Sequence, residues 1–178
     1  QSVYGRTKLA GKLAVAQTAK RHLILRTSWL YGNRRQNFLL TMMRLAKERD
    51  ELRVVADQIG SPTWVHSVSE TTARCVSSVA GNGARLDLTI PSGIFHLTAS
   101  GSTSWHGFAS AILAAMPAAE RRASRVVPLT TAEYPTPARR PAFSVLSVEK
   151  LERALAINID SWQQQLAQCF AERNQGKL

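Results

Sequence analysis

Three residue types able to move a proton stand together in the opening stretch "QSVYGRTKLAG": Ser2, Tyr4 and Lys8. A phenol, with a pKa of about 10, is a poor acid or base at neutral pH. An ammonium group close by favours the phenolate and brings the phenol nearer to use. Positions i and i+4 share one face of a helix, so Lys8 can lie beside Tyr4 and reach the same ligand. Such a pair can hand a proton to a carbonyl oxygen while a hydride arrives at its carbon. Without that proton an alkoxide would have to form. The spacing alone is weak ground, because an exposed helical Tyr beside a solvated Lys gives the same pattern.

The elements that would position this pair follow in order. Residues 4–19 predict a helix with Leu9, Leu13 and Ala16 on one face. "HLILR" (22–26) is an apolar run of the buried-strand type, and "TSWLYGNRRQ" is a loop turning at Gly32-Asn33. Residues 37–49 read as a helix on which Phe38, Met42, Leu45 and Ala46 share a face. Residues 52–55 read as a strand and 56–64 as a loop carrying Gly60 and Pro62. A helix is predicted over 68–81, closed by Gly81 and Gly83, with Ser67 or Ser69 as its cap. Strands are predicted at 93–99 and 125–130, and between them a loop enters a helix that stops before Pro117. The Pro-rich stretch 132–147 cannot be helical. Two helices close the chain, 147–155 capped by Ser147 and 160–173 capped by Asp160. Alternation of strands and helices argues the α/β class.

Composition narrows the function classes. The chain has 178 residues, 44% of them hydrophobic and 20% charged, the balance of a globular protein. No run approaches the roughly 18 apolar residues of a membrane span, and the polar opening is not a secretory signal. Cys75 and Cys169 are too few and too far apart for a disulfide framework or a zinc site. They read as buried structural thiols in a reducing, cytoplasmic setting. The net charge of +11 attracts polyanions. Yet the pairs Arg34-Arg35, Arg121-Arg122 and Arg139-Arg140 are dispersed, and aromatics make up only 7%. A nucleotide diphosphate therefore fits the charge better than nucleic acid.

The stretches "YGRTKLAGK", "LRTSWLYG", "DQIGSPTW", "GIFHLTASGSTSWHGFA" and "RPAFSVLSVEKL", with Asn37-Phe38 between them, resemble the extended short-chain dehydrogenase/reductase family over most of the chain. The resemblance implies the C-terminal portion of a Rossmann-type α/β fold. Residues 1–26 and 64–98 would be a remnant of the cofactor-binding domain. Residues 27–63 and 99–178 would form the substrate-binding region. The implied activity is NADPH- or NADH-dependent reduction of the 4-keto group of dTDP-6-deoxy-L-lyxo-4-hexulose, giving dTDP-L-rhamnose. Tyr4 would donate the proton and Lys8 would hold the nicotinamide ribose. Thr27 and Ser28 would border the nicotinamide, and Trp29 would pack on the sugar. Arg139 or Arg140 would pair with the diphosphate, with Asn37 and Gln58 as polar substrate contacts. The family also implies a homo-oligomer, commonly a dimer. Some members use Mg²⁺, but no carboxylate cluster here assigns a metal. The Gly-rich phosphate loop and a third catalytic hydroxyl are expected in an N-terminal half that precedes Gln1, because "GNGARLDLTIPSG" does not lead from a strand into a helix.

Each of these residues has a structural alternative. Trp29 can be core, Asn37 the cap of its helix, and Arg140 a surface charge. Asp57 and Gln58 can brace the Gly60-Pro62 turn. His96, inside an apolar strand, reads as a satisfied core histidine, and Trp105 and His106 as packing residues at a helix start. Rival functions are another nucleotide-sugar epimerase or dehydratase, or a non-catalytic regulatory homologue.

Overall fold

In the computed structural model, which describes residues 3–79, 85–136 and 140–176, helix α1 (Val3–Thr18) leads into strand β1 (Leu23–Arg26). Strand β2 (Leu30–Tyr31), helix α2 (Phe38–Glu48) and strand β3 (Glu51–Val55) come next. Short strands β4 (Ile59–Gly60) and β5 (Thr63–Trp64) run into helix α3 (Val65–Arg74) and the hairpin β6 (Val76–Val79) and β7 (Arg85–Leu88). Strand β8 (Gly93–His96), strand β9 (Thr103–Ser104), helix α4 (Trp105–Ala115) and strand β10 (Arg125–Leu129) follow. Helices α5 (Glu149–Leu155) and α6 (Trp162–Asn174) end the chain. The fold is α/β.

The strands form pairs, and three of the pairs are parallel. β1 lies beside β8 with Leu23 opposite Gly93 and Arg26 opposite His96. β3 lies beside β10 from Glu51↔Arg125 to Val55↔Leu129. β2 pairs with β5. Parallel partners so far apart in sequence need helical crossovers, and α2 and α4 supply them. Pro128 is tolerated within β10 because that strand has β3 as its only ladder partner among the described residues.

Two hydrophobic clusters hold these pairs. In the larger, α2 contributes Leu39, Met42, Met43 and Ala46, α4 contributes Phe108, Ala109, Ile112 and Leu113, and α6 contributes Trp162, Leu166 and Phe170. Leu52 and Val54 of β3 complete it. In the smaller, Phe95 and Leu97 meet Leu151, Ile159, Ile90 and Cys75. Both cysteines are free and buried, as their apolar settings suggested. Burial pushes the Cys169 thiol up to about 12, with Glu172 adding to the effect.

Several local expectations need correction. The helix predicted over 68–81 ends at Cys75, whose N–H bonds back to Thr71 and Thr72, and the chain continues as a strand. Val76 is β-branched and suits the ladder with 85–88 better than a helix. Gly81 and Gly83 lie outside the described residues. That helix begins at Val65 with no side-chain cap, so neither Ser67 nor Ser69 caps it. Helix α5 likewise has Val148 at its cap position without a side-chain bond, while the Ser147 carbonyl accepts from His96. Helix α6 is capped by Ser161 in a capping box with Gln164 rather than by Asp160, whose carboxylate takes Gln168 Nε2 instead. His96 is half-buried rather than core: Arg26, which can only donate, faces its Nε2 at 3.3 Å and leaves Nδ1 to donate to Ser147 O. Helix α1 buries no side chain; its Leu9 and Leu13 stay 41% and 51% exposed.

Phe108 is completely buried and touches the rings of Tyr31, Phe38 and Trp162. Phe108→Ala should therefore cost about 3–5 kcal/mol of stability. Urea unfolding of the chain checks this, and a loss below about 1 kcal/mol would mean that the larger cluster is not packed around this ring.

Candidate functional site

The site begins where β3 and β10 end side by side. Ligands in open α/β folds gather beyond the carboxyl ends of parallel strands. The last ladder bond runs from Ala56 N to Leu129 O at 2.8 Å. Beyond it a cleft of about 520 Å³ opens, walled by α2, β3, the start of α4 and the segment that follows β10.

Three of the expected substrate residues, Asn37, Gln58 and Arg140, line this cleft together. Asn37 does so as a structural residue. Its Oδ1 accepts from Leu40 N at 3.2 Å, the N-cap bond of α2. Its Nδ2 donates to the carbonyls of Gly32, Arg34 and Arg35 at 2.8, 3.3 and 3.0 Å. Gln58 is 7% exposed and donates from Nε2 to Thr131 Oγ1 at 3.1 Å. Asp57 accepts the same Thr131 backbone N–H with both carboxylate oxygens and its hydroxyl with one of them. Those bonds, the hydroxyl first, hold the Asp57 carboxyl below the usual carboxylate range. Asp57 and Gln58 thus brace the loop after β10 through Thr131. Arg140 is exposed at the cleft edge, and Arg139 lies outside the described residues.

Among the residues of this wall that sequence reasoning missed are Arg53 and Tyr134, and Trp105, read as a packing residue, lines it too. Arg53 occupies the outward position of β3 between buried Leu52 and Val54 and lines the cleft beside Tyr134. Its charge helps to keep the Glu133 carboxyl low, after the bonds that Glu133 receives from Thr130. The strand's alternation was the available signal, since an Arg flanked by buried apolar residues must face outward. Nothing in the order of residues pointed to Tyr134.

Trp29 has a backbone φ of 50°, a strained conformation for a bulky residue and one that concentrates at functional sites. Its indole lies flat on Trp105, with ring centroids 3.5 Å apart and planes 1° apart, and donates from Nε1 to Ser144 Oγ at 3.1 Å. Phe38 also meets Trp105, tilted, with ring centroids 4.6 Å apart. Trp105 lines the cleft, so the Trp29 ring reaches it through this stack. The glycine of "DQIGSPT" is needed here: a Cβ on Gly60 would collide with the Trp29 ring.

Tyr4 and Lys8 stand apart from the cleft. Tyr4 is 72% exposed on α1, and Lys8 Nζ lies 5.7 Å from its ring centroid, the shared helix face that the spacing required. Thr27, exposed, and Ser28 follow β1 at its carboxyl end. Ser28 Oγ is buried without a hydrogen-bond partner among the described residues, an orphan that a bound polar group would satisfy. Among the described residues no group of His, Cys, Asp and Glu could hold a metal ion, and no helix is long and apolar enough to cross a membrane.

A family model described as the RmlD substrate binding domain matches residues 1–175. The dTDP-4-dehydrorhamnose reductase of Burkholderia thailandensis is 47% identical over 175 residues, which are 96% of this chain and 58% of that protein. A crystal structure of a dTDP-4-dehydrorhamnose reductase from Clostridium acetobutylicum superposes with a TM-score of 0.81 at 33% identity, covering 98% of this chain and 56% of the other. One from Bacillus anthracis in complex with NADP gives a TM-score of 0.79 at 33% identity, covering 96% and 56%. The chain spans about half the length of the curated relatives it matches.

The Trp29–Trp105 stack should give an exciton couplet in the indole region of the circular dichroism spectrum. Trp105→Phe should abolish the couplet, and Gly60→Ala should do so by displacing the Trp29 ring. A Gly60→Ala spectrum identical to that of the parent would contradict the contact.

Proposed function

The chain belongs to the family of the RmlD substrate binding domain, and we propose that it forms the nucleotide-sugar-binding and proton-donating part of an NAD(P)H-dependent reductase. The substrate is dTDP-4-dehydrorhamnose and the product dTDP-L-rhamnose. The observation that carries this reading is the cleft that joins two arginines, Arg53 and Arg140, to the aromatic edges of Phe38, Trp105 and Tyr134. Paired cations suit a diphosphate, and flat rings suit a base or a sugar face.

The nicotinamide dinucleotide supplies a hydride when bound. This chain's own residues do the rest. Tyr4 gives its phenolic proton to the ketone oxygen as the carbon becomes a secondary alcohol. Lys8, cationic on the same helix face, favours the phenolate left behind. Lys8, Thr27 and Ser28 border the nicotinamide ribose and ring. Arg140, with Arg53, holds the diphosphate, and Trp29 and Trp105 limit where the sugar can lie. Gln58 holds the cleft wall. On this reading residues 1–26 and 64–98 belong with the cofactor, and 27–63 and 99–178 with the sugar nucleotide. The proposal extends to a homo-oligomer in a cytoplasmic setting. Exposed Val3, Leu9, Leu13 and Val15 on α1 are apolar surface that association would remove from water, and the free thiols suit a reducing compartment.

Two measurements test this. In a protein of the relatives' full length, Tyr4→Phe should lower kcat by about 10²–10⁴ with little change in substrate affinity. Near-normal turnover would remove Tyr4 from the chemistry. In the chain itself, calorimetry with dTDP should show Arg140→Ala and Arg53→Ala each weakening binding by about 1.5–3 kcal/mol, the worth of a hydrogen bond to a charged group. Equal affinity in both variants would return the two arginines to the solvated surface.

A further inference from the structure

Two parallel strands that end side by side leave their outgoing loops free to part once the ladder stops. Here they do not part. One residue beyond the last ladder bond, Asp57 takes the Thr131 N–H at 3.0 and 2.9 Å and the Thr131 hydroxyl at 2.7 Å. Gln58 Nε2 donates to that same hydroxyl at 3.1 Å. An ionised carboxylate only accepts and an amide nitrogen only donates. The Thr131 hydroxyl therefore uses its proton toward Asp57 and a lone pair toward Gln58. On the far side Glu133 takes the Thr130 N–H and hydroxyl, each at 2.8 Å, and closes a 3-10 turn over Thr131–Glu133. Tyr134 and Arg140 line the cleft on the segment that leaves this turn.

We infer that Asp57, Gln58 and Thr131 form a clasp that fixes the wall carrying Tyr134 and Arg140, and that they act as positioning residues for the nucleotide diphosphate rather than as contacts to it. The inference rests on the reading of the cleft given above. It assigns the Asp-Gln pair of "DQIGSPT" a task across the strand pair. It also makes Thr131 the residue on which both side chains converge. Asp57 is solvent-exposed, yet its carboxylate takes both the backbone N–H and the hydroxyl of Thr131, which suits a latch better than a ligand.

The test uses the 178-residue chain with Thr131→Val, which keeps the shape and loses the hydroxyl, Thr131→Ser, which keeps the hydroxyl, and Asp57→Asn. Hydrogen exchange without ligand reads the clasp directly. Amides of residues 130–136 should exchange faster in Asp57→Asn by about tenfold or more, the effect of losing bonds to a charged acceptor. Thr131→Val should show a smaller increase in the same segment, Thr131→Ser should match the parent, and the helices should be unchanged. Calorimetry with dTDP reads the consequence. Thr131→Val should weaken binding by roughly tenfold, Thr131→Ser should restore it, and Thr131→Val should add little on top of Arg140→Ala, because both act through one group. Unchanged exchange at 130–136 in Asp57→Asn and Thr131→Val overturns the clasp. So does full additivity of Thr131→Val with Arg140→Ala, which is what general loss of structure would give. If exchange responds as expected but the parent chain does not bind dTDP, the clasp stands and the nucleotide reading of the cleft falls.

Discussion

The parallel pairing of β3 with β10 is the constraint from which the site follows. Val55 and Leu129 finish opposite each other, so the two loops that leave them start only one strand spacing apart. One wall of the cleft is hung on that junction. Arg53 projects from β3 itself, Gln58 lies just past its end, and Tyr134 lies just past the turn that follows β10. The pairing in turn depends on the larger hydrophobic cluster. Leu52 and Val54 bury one face of β3 against α2 and α4, which leaves Arg53 on the other. A one-residue slip in register would exchange these faces and bury the guanidinium.

A second constraint comes from the short segment 59–64. Ile59 and Gly60 pair with Ser104 and Thr103, while the backbone of Ile59 also bonds to Ala142 and Ser144. Buried Ser61 and Thr63 satisfy their hydroxyls on Gly101 O and Ser61 O, and Thr63 Oγ1 also accepts from Ala99 N. Gln165, 1% exposed, bridges Trp64 N and Asp160 O. These bonded buried side chains favour one arrangement, because a shift would leave them unpaired. The side-chain-free face of Gly60 then lets the strained Trp29 lie flat against Trp105 with its N–H on Ser144. Strain at Trp29 is held in place by neighbours on three separate segments.

Much of the fold was legible because local and tertiary preferences agree. Asn37 before an apolar-periodic run marks α2, and Pro117 after Met116 marks the end of α4. The apolar runs at 22–26 and 93–99 became the parallel pair β1 and β8. Two of the failures are local signals overridden by a partner that the pattern did not name. Residues 76–79 follow a helix without interruption and turn into a strand only because 85–88 pair with them. Asp160 is a good cap by type, but its carboxylate is drawn to Gln168 and Ser161 takes the cap. The candidate site was legible in part. Tyr4 and Lys8 share a helix face as their spacing required, and Gln58 and Arg140, which the family resemblance named, line the cleft. Arg53 and Tyr134 join the cleft only through the pairing of β3 with β10, and the convergence of Asp57 and Gln58 on Thr131 spans strands that no local pattern links.

On the proposed reading, the cleft beyond β3 and β10 is a diphosphate site with an aromatic floor. The most direct measurement is a dTDP titration of the isotopically labelled chain, following arginine Nε–H and tryptophan indole N–H resonances. The expected result is that Arg53, Arg140 and Trp105 move together on one saturating curve. Arg122 and Arg125, ion-paired with Asp50 and Glu51 away from the cleft, should stay still. Shifts of similar size at every exposed arginine, or none at Arg53 and Arg140, would contradict the claim and leave the basic charge of this chain as no more than a diffuse attraction for anions.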